Sequence, residues 1–300
     1  MQLSIVTSVY CTARFLGEFA ERADAAAKAR GLADYEMIFV ADGSPDDALN
    51  VLKELKASYP RIRVLELSRN FGHHPALWCG LAAARGALVF LADSDCQAPP
   101  ETLAALHERL LATDADVAFA YRRKQRWVSQ LFWKAFGALA EVRVHPGMLT
   151  ERLMRRPYVD ALLSLNERSL FLAGMMQWVG FRQEAVPLDT VARDGPPSYT
   201  WQRRAALAFD ALTSFSIVPM KALFAGGAAL AATALVSALA LAAVKLARPE
   251  MVVQGFTALA VLLLFSLGVL LAAIGLVGLY LGKVFLQAKG RPLYIVRREF

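Results

Sequence analysis

The chain predicts an α/β domain built on a mostly parallel sheet, followed by a pair of membrane-spanning helices. Three observations carry this. Over the first two thirds of the 300 residues, short runs rich in β-branched residues alternate with longer segments of helical spacing. Asp42, Asp93 and Asp95 all fall where an apolar run ends. The last third holds two long uncharged windows.

Leu3–Val9 reads as a buried strand. Arg14–Arg30 has helical spacing and stops at Gly31, a residue type suited to a helix C-cap. Tyr35–Ala41 is the second strand, and Asp42-Gly43-Ser44-Pro45 is turn chemistry. Asp46–Ser58 follows as helix and Ile62–Leu67 as strand. Pro75–Ala84 is helical and ends near Gly86. Ala87–Ala92 is strand, Pro100–Ala112 helix and Val117–Tyr121 strand. This alternation implies a parallel sheet with helices on both faces. Ligands of such sheets sit beyond the carboxyl ends of the strands, which groups the three aspartates into one site.

The 56% hydrophobic composition is concentrated towards the C-terminus. Ala222–Val244 lies between Lys221 and Lys245, and Met251–Gly282 between Glu250 and Lys283. About 20 apolar residues cross ~30 Å of hydrocarbon, so both windows are long enough. Arg203, Arg204 and Lys221 precede the first window; Lys283, Lys289, Arg291, Arg297 and Arg298 accompany or follow the end of the second. The positive-inside bias then places both termini and the α/β domain in the cytoplasm, on a multi-pass inner-membrane protein. The net charge of +7 is accounted for by anionic head groups rather than nucleic acid. Arg126–Ala140 and Tyr199–Ser216 mix aromatic and basic residues. The first reads equally as an interfacial helix or as core packing; the second reads as a helix in the head-group plane. The N-terminus MQLSIVTSVY reads as a first strand, not a signal peptide. Three scattered cysteines without metal-ligand spacing fit a reducing compartment. The expected organisation is an α/β domain over 1–198, a juxtamembrane amphipathic helix over 199–218, two spans over 219–283 and a basic tail over 284–300.

The stretch FLADSDCQAPPE, Phe90 to Glu101, ends a strand in two carboxylates at i and i+2. Asp93 and Asp95 so placed suit Mg²⁺ or Mn²⁺, which take one or two protein carboxylates and complete their shells with water and phosphate. Such an ion neutralises a departing diphosphate. Read as plain structure, Asp42 is a turn residue and Asp95 caps the next helix. His73 and His74 are adjacent, 100° apart on a helix, and make a poor chelating pair.

The order SIVTSVY, FVADGSPDD, LSRNFGHHPALWCGLAAARG, FLADSDCQAPPE resembles the family 2 glycosyltransferases of GT-A fold, more narrowly the polyprenyl-phosphate glycosyltransferases. It continues through DALLSLNERSLFLAGMMQWVGFRQ and PPSYTWQRRAALAFDALTSFSIVP to GLYLGKVFLQAKGRPLYIVRREF, over essentially the whole chain. The resemblance implies that Asp42 contacts the nucleoside, that Asp93 and Asp95 hold the diphosphate and metal, and that Gln97 stands near that metal. It implies that Arg69, Asn70 and Gly72 line the donor pocket. Arg193, Ser198 and Tyr199 match a segment that closes over donor and acceptor, and Asp95 and Arg193 are the implied catalytic pair. Arg122 and Arg123 suit an anionic lipid head, since arginine grips phosphate bidentately. The implied reaction is inverting transfer of a sugar from a nucleotide sugar, UDP before GDP, to undecaprenyl phosphate. A homo-oligomer fits the same resemblance. The alternatives are a membrane-anchored nucleotide-sugar binder or assembly partner that has lost catalysis, and a processive polysaccharide synthase, for which two spans make a poor channel.

Two departures stand out. Val9-Tyr10-Cys11-Thr12-Ala13 lacks the acidic residue that relatives carry after the first strand. Leu149-Thr150-Glu151-Arg152-Leu153-Met154 replaces a Gly-Asp-Phe-Arg pattern, so Thr150 occupies the position of the base aspartate.

Overall fold

The computed structural model describes residues 1–123, 144–165, 167, 170–188, 218–247 and 255–300. Five strands follow the predicted order: β1 (Leu3–Val9), β2 (Tyr35–Ala41), β3 (Ile62–Leu67), β4 (Leu88–Leu91) and β5 (Val117–Arg122). Between them lie α1 (Leu16–Ala29), α2 (Ala48–Ser58), α3 (His73–Ala83) and α4 (Thr102–Ala112). Next come β6 (Met148–Arg155), α5 (Arg156–Leu163), α6 (Leu172–Trp178) and β7 (Gln183–Leu188). Helices α7 (Val218–Ala247) and α8 (Phe256–Ala288) lead to a last strand, β8 (Val296–Glu299).

All eight strands form one sheet in the order β7-β5-β6-β4-β1-β2-β3-β8. The β4-β1-β2-β3 core is parallel, as expected. Alternate side chains of each strand feed opposite faces. Leu3, Ile5, Met37, Phe39, Val64 and Phe90 pack in one cluster with Leu16 and Phe19 of α1, Leu52 of α2 and Leu106 of α4. Val6, Ile38, Val40, Leu65, Val89 and Leu91 pack in the other with Leu77 of α3, Tyr158 of α5 and Met175 of α6. Both faces are therefore covered, which is why the strands read as near-continuous apolar runs.

Two strands differ from the parallel scheme. β6 runs antiparallel to both β4 and β5. Its charged residues Glu151, Arg152 and Arg155 hid it from a hydrophobicity reading. Because it is antiparallel, its amino end reaches the same mouth as the carboxyl ends of β1 to β5. β8 belongs to what the sequence presents as a basic tail; it returns to the sheet and pairs antiparallel with β3.

Within α7 and α8, Met220–Ser237 and Phe265–Ala288 are long and apolar enough to cross a membrane, and no part of either window is buried. A core helix of a soluble protein would show the opposite. Leu235, Leu239, Leu262, Leu263 and Leu271 are exposed, a surface that hydrocarbon would cover.

Candidate active site

The mouth of the sheet is built by the loops after β1, β2, β3 and β4. At β2, Asp42 is 1% exposed. Its carboxylate accepts the backbone N–H of Phe71 at 2.7 Å and of Gly72 at 2.9 Å. Burial pushes its pKa up, against these two hydrogen bonds. Asp42 thus folds the loop after β3 over β2. The next residue, Gly43, has φ +59° and faces that loop so closely that a Cβ would lie 2.5 Å from the Asn70 nitrogen. Only glycine meets both demands. Arg69 donates to the Asn70 carbonyl at 2.9 Å and stacks 4.0 Å over the Phe71 ring. In this conformation the influence of Asp42 on a ligand passes through the Arg69–Gly72 loop; the side chain has almost no surface of its own to offer a nucleoside.

The acidic position missing after β1 has a counterpart that sequence reasoning passed over. Asp46 accepts the Ala13 N–H at 2.9 Å and the Ser44 hydroxyl at 2.5 Å, and Ser44 accepts the Cys11 N–H at 2.7 Å. Burial alone would raise the Asp46 pKa; the hydrogen bonds overcome it and hold the carboxyl below its ordinary value. The β1 loop is therefore shaped by a carboxylate from the β2 turn. The doubled aspartate of SPDD was the available signal.

At β4, Ser94 is buried between the two aspartates. Its hydroxyl donates to the Ser8 carbonyl at 2.9 Å, so Thr12, also at 2.9 Å, donates to Ser94. This pins the middle of Asp93-Ser94-Asp95 inward and turns its neighbours to the mouth. Asp95 accepts the Gln97 backbone N–H at 3.1 Å and the Gln97 side-chain amide at 2.8 Å. Facing a carboxylate, Gln97 must present its NH₂ group, so it orients Asp95. Cys11 and Cys96, one on each side of the mouth, both hold φ +55°. Non-glycine residues in that region carry strain of the kind that gathers at functional sites.

Asp93 lies in the thickest part of the network. Thr150 of β6 lies near enough to its side chain to favour the charged carboxylate. His73, at the start of α3, places Nδ1 2.9 Å from the Ser8 hydroxyl and Nε2 3.6 Å from Asp93 Oδ1. That Oδ1 is buried and has no hydrogen-bond partner. Glu151, 2% exposed, brings Oε1 to 3.4 Å from the Asp93 backbone N–H. Burial first, and then the charge of Asp93, push the Glu151 carboxyl up to about 8. Burial raises Asp93 as well, against His73 and with the charge of Asp95, so both of these neighbouring carboxyls are pressed towards holding a proton. Arg152, 3% exposed, donates to the carbonyls of Thr150 at 3.2 Å and Leu149 at 3.0 Å and touches the Met176 sulfur. It hooks the start of β6 into the shape that presents Thr150.

An orphaned, buried carboxylate oxygen beside a second, oriented carboxylate fits a divalent cation. Among the described residues no three His, Cys, Asp or Glu side chains form a ready cage. That suits an ion whose remaining ligands are water and phosphate. Of the other expected residues, Arg122 and Arg123 are exposed at the carboxyl end of β5, two strands from β4. Arg193, Ser198 and Tyr199, with the stretches 126–140 and 199–216, lie outside the described residues.

A mixed, mostly parallel sheet of this order, opening on an Asp-x-Asp mouth, is the GT-A architecture. Residues 4–181 match the family described as "Glycosyl transferase family 2". The chain belongs to glycosyl transferase family 2. A Mycobacterium tuberculosis protein named only for the glycosyltransferase class is 40% identical, over 100% of this chain and 89% of its own. The bactoprenol glucosyl transferase of Shigella phage SfV is 31% identical over 89% of each chain. Among solved structures, the mannosyltransferase PcManGT of Pyrobaculum calidifontis, in complex with GDP-Man and Mn²⁺, shares the fold at a TM-score of 0.50 and 16% identity. It spans 95% of this chain and 84% of its own.

Proposed function

We propose that this protein transfers a sugar from a nucleotide sugar, UDP-linked before GDP-linked, to a polyprenyl phosphate at the cytoplasmic face of the inner membrane. The observation that carries this reading is the likeness to a bactoprenol glucosyl transferase over 89% of both chains, joined to the Asp93–Asp95 mouth. Asp93 and Asp95 would hold Mg²⁺ or Mn²⁺, which when bound neutralises the charge of the departing diphosphate. The Arg69–Gly72 loop would receive the nucleotide, and Arg122 and Arg123 the lipid phosphate. Two antiparallel spans leave the catalytic domain and β8 on the same side, in keeping with the positive-inside bias.

The acceptor class is read from the described residues where relatives carry the base. A hydroxyl acceptor must lose a proton, and general-base help contributes roughly 10²–10⁴-fold. Among the described residues at the start of β6, Thr150 cannot serve, and burial raises the Glu151 carboxyl away from the charged form a base needs. A phosphate monoester has a second pKa near ~6 and is mostly dianionic at neutral pH. Its oxygen can attack the anomeric carbon directly, while the bond to the diphosphate breaks and the electron pair leaves with the nucleoside diphosphate. Positioning and charge balance are then what the residues must supply.

The test is the full chain in lipid nanodiscs with Mn²⁺ or Mg²⁺, a panel of nucleotide sugars and undecaprenyl phosphate. A lipid-linked sugar is expected, with a rate that falls about tenfold per pH unit below about 6 as the acceptor gains its proton. Glycosylation of a polyprenol-linked sugar hydroxyl in preference to the phosphate would overturn the reading. Gly43→Ala should weaken nucleoside diphosphate binding about tenfold, because the new methyl displaces the Asn70 backbone. Unchanged affinity would remove the loop from the donor site.

A further inference from the structure

Strand β8 is more than an edge cover. Its pairing with β3 carries a bulge: Leu67 faces Val296 while Glu66 faces Arg298, which leaves Arg297 as the extra residue. A bulge sets two residues against one. Here both arginines converge on Glu66, which is 7% exposed and accepts Arg297 at 3.2 Å and Arg298 at 3.1 Å. At the other end Glu299 meets Arg63 at 2.7 Å, and Arg63 donates to buried Glu36 at 2.7 Å. Phe300 exchanges two backbone hydrogen bonds with Val64. Ahead of the strand, Leu293 and Tyr294 pack on the core.

The point of entry matters most. The Ile295 carbonyl accepts the Ser68 N–H at 2.9 Å, and Ser68 is followed directly by Arg69. The loop that Asp42 gathers is thus held from its other side by the chain leaving α8. Lys289–Ile295 make the whole connection between α8 and β8. At ~3.3–3.6 Å per residue, seven residues reach roughly 25 Å at most.

We propose that the C-terminal segment Leu293–Phe300 is a positioning element for the Arg69–Gly72 loop, with Glu66, Arg297 and Arg298 as the positioning residues that lock it. It ties the loop to the end of the second apolar helix by a short strap. This rests on the reading of that loop as the donor site.

The experiment uses the full chain in nanodiscs and measures UDP and GDP affinity in Mn²⁺, thermal midpoint and transfer to undecaprenyl phosphate. Glu66→Arg should weaken nucleotide binding about tenfold. Adding Arg297→Glu and Arg298→Glu should restore it to within about threefold, and the Glu66→Arg thermal midpoint should stay well above the assay temperature, so that the loss in affinity is not unfolding. Inserting six Gly/Ser residues after Gly290 should leave nucleotide affinity unchanged and lower the transfer rate at least fivefold. Deletion of residues 293–300 should match Glu66→Arg; if that variant does not fold, the charge-reversal set decides. Nucleotide affinity unchanged in Glu66→Arg, or a transfer rate unchanged by the insertion, overturns the inference. Failure of the wild-type protein to bind either nucleotide brings down the donor reading, and this inference with it.

Discussion

Asp95→Ala is expected to lower sugar transfer at least about a hundredfold while moving the thermal midpoint by no more than about 2 °C. Removing one preorganised electrostatic group from a reacting centre costs about 10²–10³ in rate. Asp95 is only part-buried at the rim of the mouth, so its loss opens no core cavity. Its contacts are to Gln97, two residues away, and hold no other element in place. Gln97→Ala should cost only a fewfold, since it frees the Asp95 carboxylate without deleting it. Transfer within twofold of wild type in Asp95→Ala would reduce Asp95 to a loop cap.

The second large effect is on stability. Glu151→Gln should make the metal-free protein more stable at pH 8, by roughly 3–5 kcal/mol, and leave it unchanged near pH 4.5. The folded state holds the Glu151 proton to about 8, against an ordinary value of 4.5. Below 4.5 both states are protonated and no penalty exists. Between the two values the unfolded chain releases a proton that the folded chain keeps, so stability falls as pH rises. Each unit of difference is worth about 1.4 kcal/mol. Glutamine keeps the shape and cannot ionise. The check is denaturant unfolding of both proteins in EDTA across pH 4.5 to 8.5. A gap that does not change with pH would mean that Glu151 is ionised in the fold.

The β1–β3 boundaries and the order of the first five strands were legible because each strand is buried on both faces and reads as an unbroken apolar run. The start of α3 was misplaced by two residues: Pro75 is a strong helix-start signal, but Gly72, at φ +105°, makes the turn and lets His73 begin the helix. β6 was illegible because its partners bury Glu151 and Arg152, and burial of charge has no periodic signature. β8 was hidden for the opposite reason: it is exposed, basic and far in sequence from its partner. In the site, strand ends were enough to gather Asp42, Asp93 and Asp95. They could not reveal that Asp42 turns inward to Phe71 and Gly72, or that Gln97 serves Asp95. Those depend on loop backbone, and the pattern of residue types does not encode it. The polar chain of Thr12, Ser94, Ser8 and His73 was missed because serines and threonines are too common to signal anything before they are brought together.

The return of β8 to β3 also sets a timetable for biosynthesis. Glu66 and Arg298 stand 232 residues apart in sequence. At ~5–20 residues per second, translation leaves β3 without its neighbour for on the order of ten seconds or more. During that interval both apolar helices are synthesised. The nascent domain meanwhile shows an open strand edge of the kind that invites mispairing. β8 can join β3 only after α7 and α8 have been synthesised, so the sheet of the catalytic domain is completed last. A chain cut short before β8 would keep that edge open, and cellular proteases would have a feature by which to recognise it.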